Sequence, residues 1–130
     1  MGVGFSTDFP ADCPFPEASA ANGEVFRITK NNVLSSTDFL THHELGKMKN
    51  ACQCLRRGLS VMRNAKDAMH QRDILPFLGE YISIGNLSDE DGMLALTNGK
   101  VPTHSTWWPY ENIIRHKKFK IHDEVDYKNV

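Results

Sequence analysis

Glu24-Val25-Phe26-Arg27-Ile28-Thr29-Lys30, entered through Gly23 and closed by Asn31-Asn32, is the stretch on which the fold turns. Its side chains alternate with the two-residue period of a β-strand, placing Phe26 and Ile28 on one face and Val25, Arg27 and Thr29 on the other. The Asn pair reads as a turn. An arginine in the middle of an otherwise apolar strand is expected to be at least partly enclosed. Enclosed arginine takes an anion or an acceptor as partner: a bound phosphate, an internal Asp or a backbone carbonyl.

Outward from this strand, Gly58-Leu59-Ser60-Val61-Met62 reads as a second, short and buried strand. Glu80-Tyr81-Ile82-Ser83-Ile84 reads as a third with Ile82 and Ile84 inward, and Met93–Leu96 as a fourth. Between them, Ser35 with Asp38 is a helix-start signal, predicting a short helix over Thr37–Leu45 stopped by Gly46 in the left-handed region. Lys47–Arg57 has no period and is expected to be a loop. Asn64 with Asp67 repeats the cap pattern before Ala65, Ala68, Met69 and Arg72. Ser88–Gly92 reads as a turn or a single helical turn, Asn98-Gly99 as a turn, and Glu111–Ile121 as a segment that begins helical. The helices are too short and too irregularly placed to be crossovers between parallel strands. The expected fold class is therefore α+β: a compact single domain, mostly antiparallel sheet with short helices.

Residues 1–22 hold Pro10, Pro14 and Pro16 with Phe5, Phe9 and Phe15, and read as an irregular arm lying on the domain. Residues 23–121 form the domain and 122–130 a polar tail. The chain has 130 residues, enough for one domain that buries about two thirds of its unfolded surface. With 15 Lys plus Arg against 16 Asp plus Glu it lacks the basic footprint of a general nucleic-acid binder. The basic run Arg115–Lys120 is followed at once by Asp123, Glu124 and Asp126. No apolar run reaches the length of a membrane span. The N-terminus has no secretory pattern, although Met1-Gly2 with Ser6 fits a myristoylation motif. Cys13, Cys52 and Cys54 form an odd set without disulfide-framework spacing, which points to a reducing cytoplasm.

The segment Thr103-His104-Ser105-Thr106-Trp107-Trp108-Pro109-Tyr110 is the least ordinary in composition. Adjacent tryptophans on a strand point to opposite sides, so one pocket cannot take both. A histidine and hydroxyls beside an aromatic wall suit a ring or sugar ligand; the plainer reading is a corner where the tryptophans pack. His42-His43-Glu44 with Cys52-x-Cys54 offers zinc-type ligands, but the cysteine spacing is too tight and the two imidazoles diverge by about 100° on a helix. Ser60 follows Gly58-Leu59 but lacks the second glycine of a nucleophile elbow, and no glycine-rich phosphate loop is present.

Arg27 in Val25-Phe26-Arg27 and Ser60 in Gly58-Leu59-Ser60-Val61 together resemble elements of small ADP-ribosyltransferase-type domains, over an arrangement spanning residues 23–112. The resemblance implies that Arg27 grips a dinucleotide and that Ser60 lies beside the nicotinamide ribose. The late glutamate of such domains has no recognisable motif, since neither Glu80 nor Glu111 sits in Glu-x-Glu or Gln-x-Glu; Glu111 is the carboxylate to test. The expected site is a groove between Arg27, Ser60 and His104–Trp108. It would take a nucleotide-like ligand, with the oxidised nicotinamide dinucleotide (NAD) as substrate. In it Arg27 pairs with phosphate, Ser60 bonds a ribose, Trp107 or Trp108 stacks on a ring, and His104 positions a hydroxyl or exchanges a proton. The rival expectation is a non-catalytic interaction module, an inhibitor or adaptor, that uses an exposed tryptophan and tyrosine surface. A third arrangement buries both tryptophans and puts the functional surface elsewhere.

Overall fold

The computed structural model describes residues 4–123. The myristoylation motif at Met1-Gly2 and the tail beyond Asp123 lie outside the described residues. The seven strands among the described residues, in chain order, are β1 (Ser19–Ala20), β2 (Gly23–Thr29), β3 (Leu59–Val61), β4 (Tyr81–Leu87), β5 (Gly92–Leu96), β6 (Ser105–Pro109) and β7 (Phe119–Ile121). They form two antiparallel sheets, one ordered β1-β5-β6-β3 and the other β2-β4-β7. Three short helices complete the α+β domain among the described residues: α1 (His42–Leu45), α2 (Gln53–Arg56) and α3 (Ala65–Ile74). None is long and apolar enough to cross a membrane.

The alternation along β2 has the expected consequence. Val25 packs between the sheets with Leu59, Val61, Trp107 and Phe119, whereas Phe26 and Ile28 pack with Met62, Ala68 and Ile82 against α3. The two sheets meet where β2 passes the end of β3: Phe26 N donates to Met62 O at 2.8 Å, and Met62 N returns the bond to Phe26 O at 2.7 Å. Beyond this bridge β2 and β3 part, and the gap between them is the site described below.

Several local expectations need correction. The helix over Thr37–Leu45 is split into a 3-10 turn at Ser36–Phe39 and α1, with Leu40 extended between them. Thr41 restarts the helix with its own capping box, accepting from Glu44 N at 3.1 Å while its N–H donates to Glu44 Oε1 at 2.8 Å. Gly46 closes α1 at φ 68°, in the left-handed region. The loop at Lys47–Arg57 contains α2, and the helical reading of Glu111–Ile121 gives way to a 3-10 turn at Arg115–Lys118 followed by β7. The arm is not irregular throughout, because Ser19–Ala20 pairs with β5.

The cysteine reading is overturned. Cys13 and Cys54 form a disulfide with their Cα atoms 5.3 Å apart, leaving only the exposed Cys52 as a thiol. Short spacing between Cys52 and Cys54 had hidden a partner 41 residues upstream of Cys54. The case for a reducing cytoplasm rested on unpaired cysteines and loses that support. Cys54 is likewise withdrawn from any zinc set, and no cluster of three metal-ligating side chains exists among the described residues.

Candidate functional site

A cavity of about 290 Å³ opens where β2 and β3 separate, at the low end of the usual range for small-molecule sites. Arg27 reaches into it from β2. Its Nε donates to the carbonyl of Asp38 at 3.2 Å and its Nη1 to the carbonyl of Ser60 at 3.0 Å. The guanidinium lies 5.6 Å from the centre of the Phe39 ring. The enclosed arginine thus has backbone carbonyls as internal partners, while Nη2 has no hydrogen-bond partner among the described residues. Burial lowers its pKa to about 10, so it keeps its charge at neutral pH.

Ser60 faces the same space from β3, and His104 closes on it from the β5–β6 connection. The imidazole Nε2 lies 3.1 Å from Ser60 Oγ. Nδ1 lies 3.3 Å from the carbonyl of Thr97 and 3.1 Å from its hydroxyl, which in turn sits 2.9 Å from Thr106 Oγ1. A carbonyl only accepts, so the proton belongs on Nδ1 and Nε2 is left as an acceptor for the Ser60 hydroxyl. The connection wraps tightly round the ring because residue 99 is glycine, where a Cβ would collide with the imidazole. Burial holds the His104 pKa below the ordinary histidine value, against a smaller opposing effect of the Thr97 carbonyl.

Arg27, Ser60 and His104 are therefore brought together, in one concavity. Trp107, Trp108 and Glu111 are not. Both tryptophans are fully buried and neither lines the cavity. Trp107 packs between the sheets and donates its indole N–H to Asp91 O at 3.0 Å. Trp108, on the opposite face of β6, is covered by the arm through Phe15, with Phe5 and Phe9 in the same cluster. Two adjacent tryptophans can both be core because β6 is covered on both faces. That arrangement removes the stacking role and the tryptophan anchor of the interaction-module reading, and leaves Tyr110 partly exposed. Glu111 is exposed and borders a second, smaller cavity with Asp8, His43, Glu44 and Arg57. There His43 Nε2 meets Asp8 Oδ2 at 2.6 Å, and bonds from Ser6 and His43 hold the Asp8 carboxyl below its ordinary pKa.

Sequence reasoning missed Arg56, Thr97 and Gln71, all of which line the larger cavity, and read His42, also on its wall, only for a metal. Arg56 is buried on α2, its Nε donating to Lys47 O at 2.9 Å and its Nη1 to Gln53 Oε1 at 2.8 Å. His42 has its pKa lowered by burial and then by the charges of Arg27, Lys47 and Arg56. Gln71 is 6% exposed, and its Oε1 is buried without a hydrogen-bond partner. The available signal was spacing, since Ala65, Ala68 and Gln71 make one buried stripe of α3 and a polar residue in such a stripe is unusual. Among the described residues, the cavity wall thus carries Arg27, Arg56, His42 and His104 and not one carboxylate.

Comparison of the chain with protein-family models, with curated proteins and with solved structures found no match.

Proposed function

We propose that this cavity binds a phosphate-bearing, nucleotide-like ligand. The observation that carries the reading is the charge of the wall: Arg27 and Arg56 line it beside two histidines, no acidic side chain is among the described residues that line it, and Asp38 acts on Arg27 only from outside the lining. An anion supplies the missing charge, and guanidinium groups match phosphate oxygens in geometry. Arg27 would take the phosphate through Nη2. Ser60 and His104 would bond a ribose hydroxyl, and Ile28, Leu40, Met62 and Leu78 would cover an apolar ring face. Gln71 offers a buried amide at which a base or carboxamide edge can be read. NAD is the dinucleotide to try first, on the resemblance of Arg27 and Ser60 to their counterparts in ADP-ribosyltransferase-type domains. ADP-ribosyl transfer is a weaker proposition than binding, because Glu111 stands at the other cavity and the reacting sugar would have no carboxylate beside it. The disulfide supports residence in an oxidising compartment.

The test is thermal unfolding of the purified protein against AMP, ADP-ribose and NAD. A ligand that binds only the folded state, at a hundred times its Kd, adds about 2.7 kcal/mol, which is several degrees in a domain of this size. The shift should disappear in Arg27→Ala. No shift with any of the three would sink the reading.

A further inference from the structure

Ser60 and His104 do more than line a binding pocket. The hydroxyl sits at hydrogen-bond distance from Nε2, and the opposite ring nitrogen is held by the Thr97 carbonyl. The hydroxyl thus donates to a neutral imidazole whose orientation is fixed from behind, the relation that activates a serine for attack. The Ser60 backbone is itself pinned by Arg27, whose Nη1 holds its carbonyl. Arg27 and Arg56 line the same cavity as that hydroxyl. Fixed cations there suit a group that spreads negative charge over several oxygens, which a phosphoryl group does.

We propose that Ser60 is a nucleophile with His104 as its general base, and that the pair transfers or hydrolyses the phosphoryl group of a phosphate ester held by Arg27 and Arg56. This rests on the phosphate reading of the cavity. In the first step Ser60 Oγ bonds to phosphorus and the ester P–O bond breaks. His104 Nε2 takes the hydroxyl proton and passes it to the departing alkoxide, which leaves as an alcohol. Water then attacks the phosphoserine, giving its proton to His104, and inorganic phosphate departs as Ser60 recovers a proton. No electrons change hands and no further reactant is needed.

The experiment pairs two probes on the full chain. An alkyl fluorophosphonate tests the nucleophile without needing the natural substrate: Oγ bonds to phosphorus, fluoride leaves and His104 takes the proton. Peptide mapping should place the adduct on Ser60, and His104→Gln should slow its formation by about 100-fold or more. p-Nitrophenyl phosphate tests the phosphoryl assignment, its turnover falling by a similar factor in Ser60→Ala and in Arg27→Ala. Retained thermal stability of each variant shows that it is folded. An adduct elsewhere, no adduct, or one indifferent to His104→Gln would overturn the dyad. Labelling of Ser60 without turnover of the phosphate ester would overturn the phosphoryl assignment. In either case a persisting AMP shift leaves the binding reading intact, whereas loss of that shift in the wild type fails the binding reading itself.

Discussion

Trp108 donates its indole N–H to the carbonyl of Cys54 at 2.9 Å, and Cys54 is joined through sulfur to Cys13 in the arm. One buried ring thus ties β6, α2 and the arm together, and the aromatic cover over it depends on the arm staying in place. The structure makes the arm part of the core.

Reducing the disulfide, or substituting Cys13→Ala, should therefore destabilise the domain by about 2 to 4 kcal/mol, the usual range for a cross-link. Denaturant unfolding with and without reductant measures it, with Trp108 fluorescence reporting on the arm. Equal midpoints would show that the Phe5–Phe9–Phe15 packing holds the arm alone.

Gly99→Ala places a methyl against the His104 ring. The imidazole must move or the connection must open, at a cost of about 1 to 3 kcal/mol for overpacking. Ring nitrogen shifts of His104 in NMR should change, because Thr97 and Ser60 can no longer both be reached. Unchanged shifts would mean that the connection yields while the ring stays.

Gln71→Leu should separate folding from binding. An unpartnered buried amide oxygen is a cost to the folded state, and replacing the amide with a hydrocarbon of similar size should leave stability unchanged or raise it by about 1 kcal/mol. The nucleotide-induced thermal shift should shrink in the same variant. A drop in stability would show that the amide has an essential partner in the folded protein.

Stability should also depend on pH through the cavity histidines. Both His42 and His104 have folded-state pKa values below the ordinary value near 6.5, so the unfolded chain binds more protons just below that pH. Their contribution is fully present above about pH 6.5 and is lost as pH falls through the lower folded-state values. Melting temperatures across this window should fall towards acid, and the slope should flatten in the His42→Gln, His104→Gln double variant.

The strands read from the sequence were β2, β4 and β5, and β3 with its Asn64-capped successor α3, while β6 was weighed only through the alternation of its tryptophans. The two missed strands lack a clear signal. β1 is two residues long, and β7 is Phe-Lys-Ile beside a lysine run that reads as solvated surface. The meeting of Arg27, Ser60 and His104 was legible because each lies on or beside a strand that borders the same gap. Arg56 was not, because α2 is a four-residue helix without period. The tryptophans were misplaced for a different reason: strand alternation gives opposite faces but not what covers each, and the second cover came from an arm that shows no regular pattern.

The pairing order has a kinetic consequence. Apart from the Phe26–Met62 bridge, every strand of the first half finds its ladder in the second: β1 with β5, β2 with β4, β3 with β6. Chain closure over such distances must be met before the contacts repay it, which places the domain among slow, millisecond-to-second folders. On the ribosome the first sixty residues emerge with almost nothing to pair with, and Ser60 and Arg27 acquire their fixed relation only after residue 109 has followed them out. Splitting the chain between α3 and β4 would leave a first half without a ladder, while the second half keeps only the β4–β7 and β5–β6 pairings.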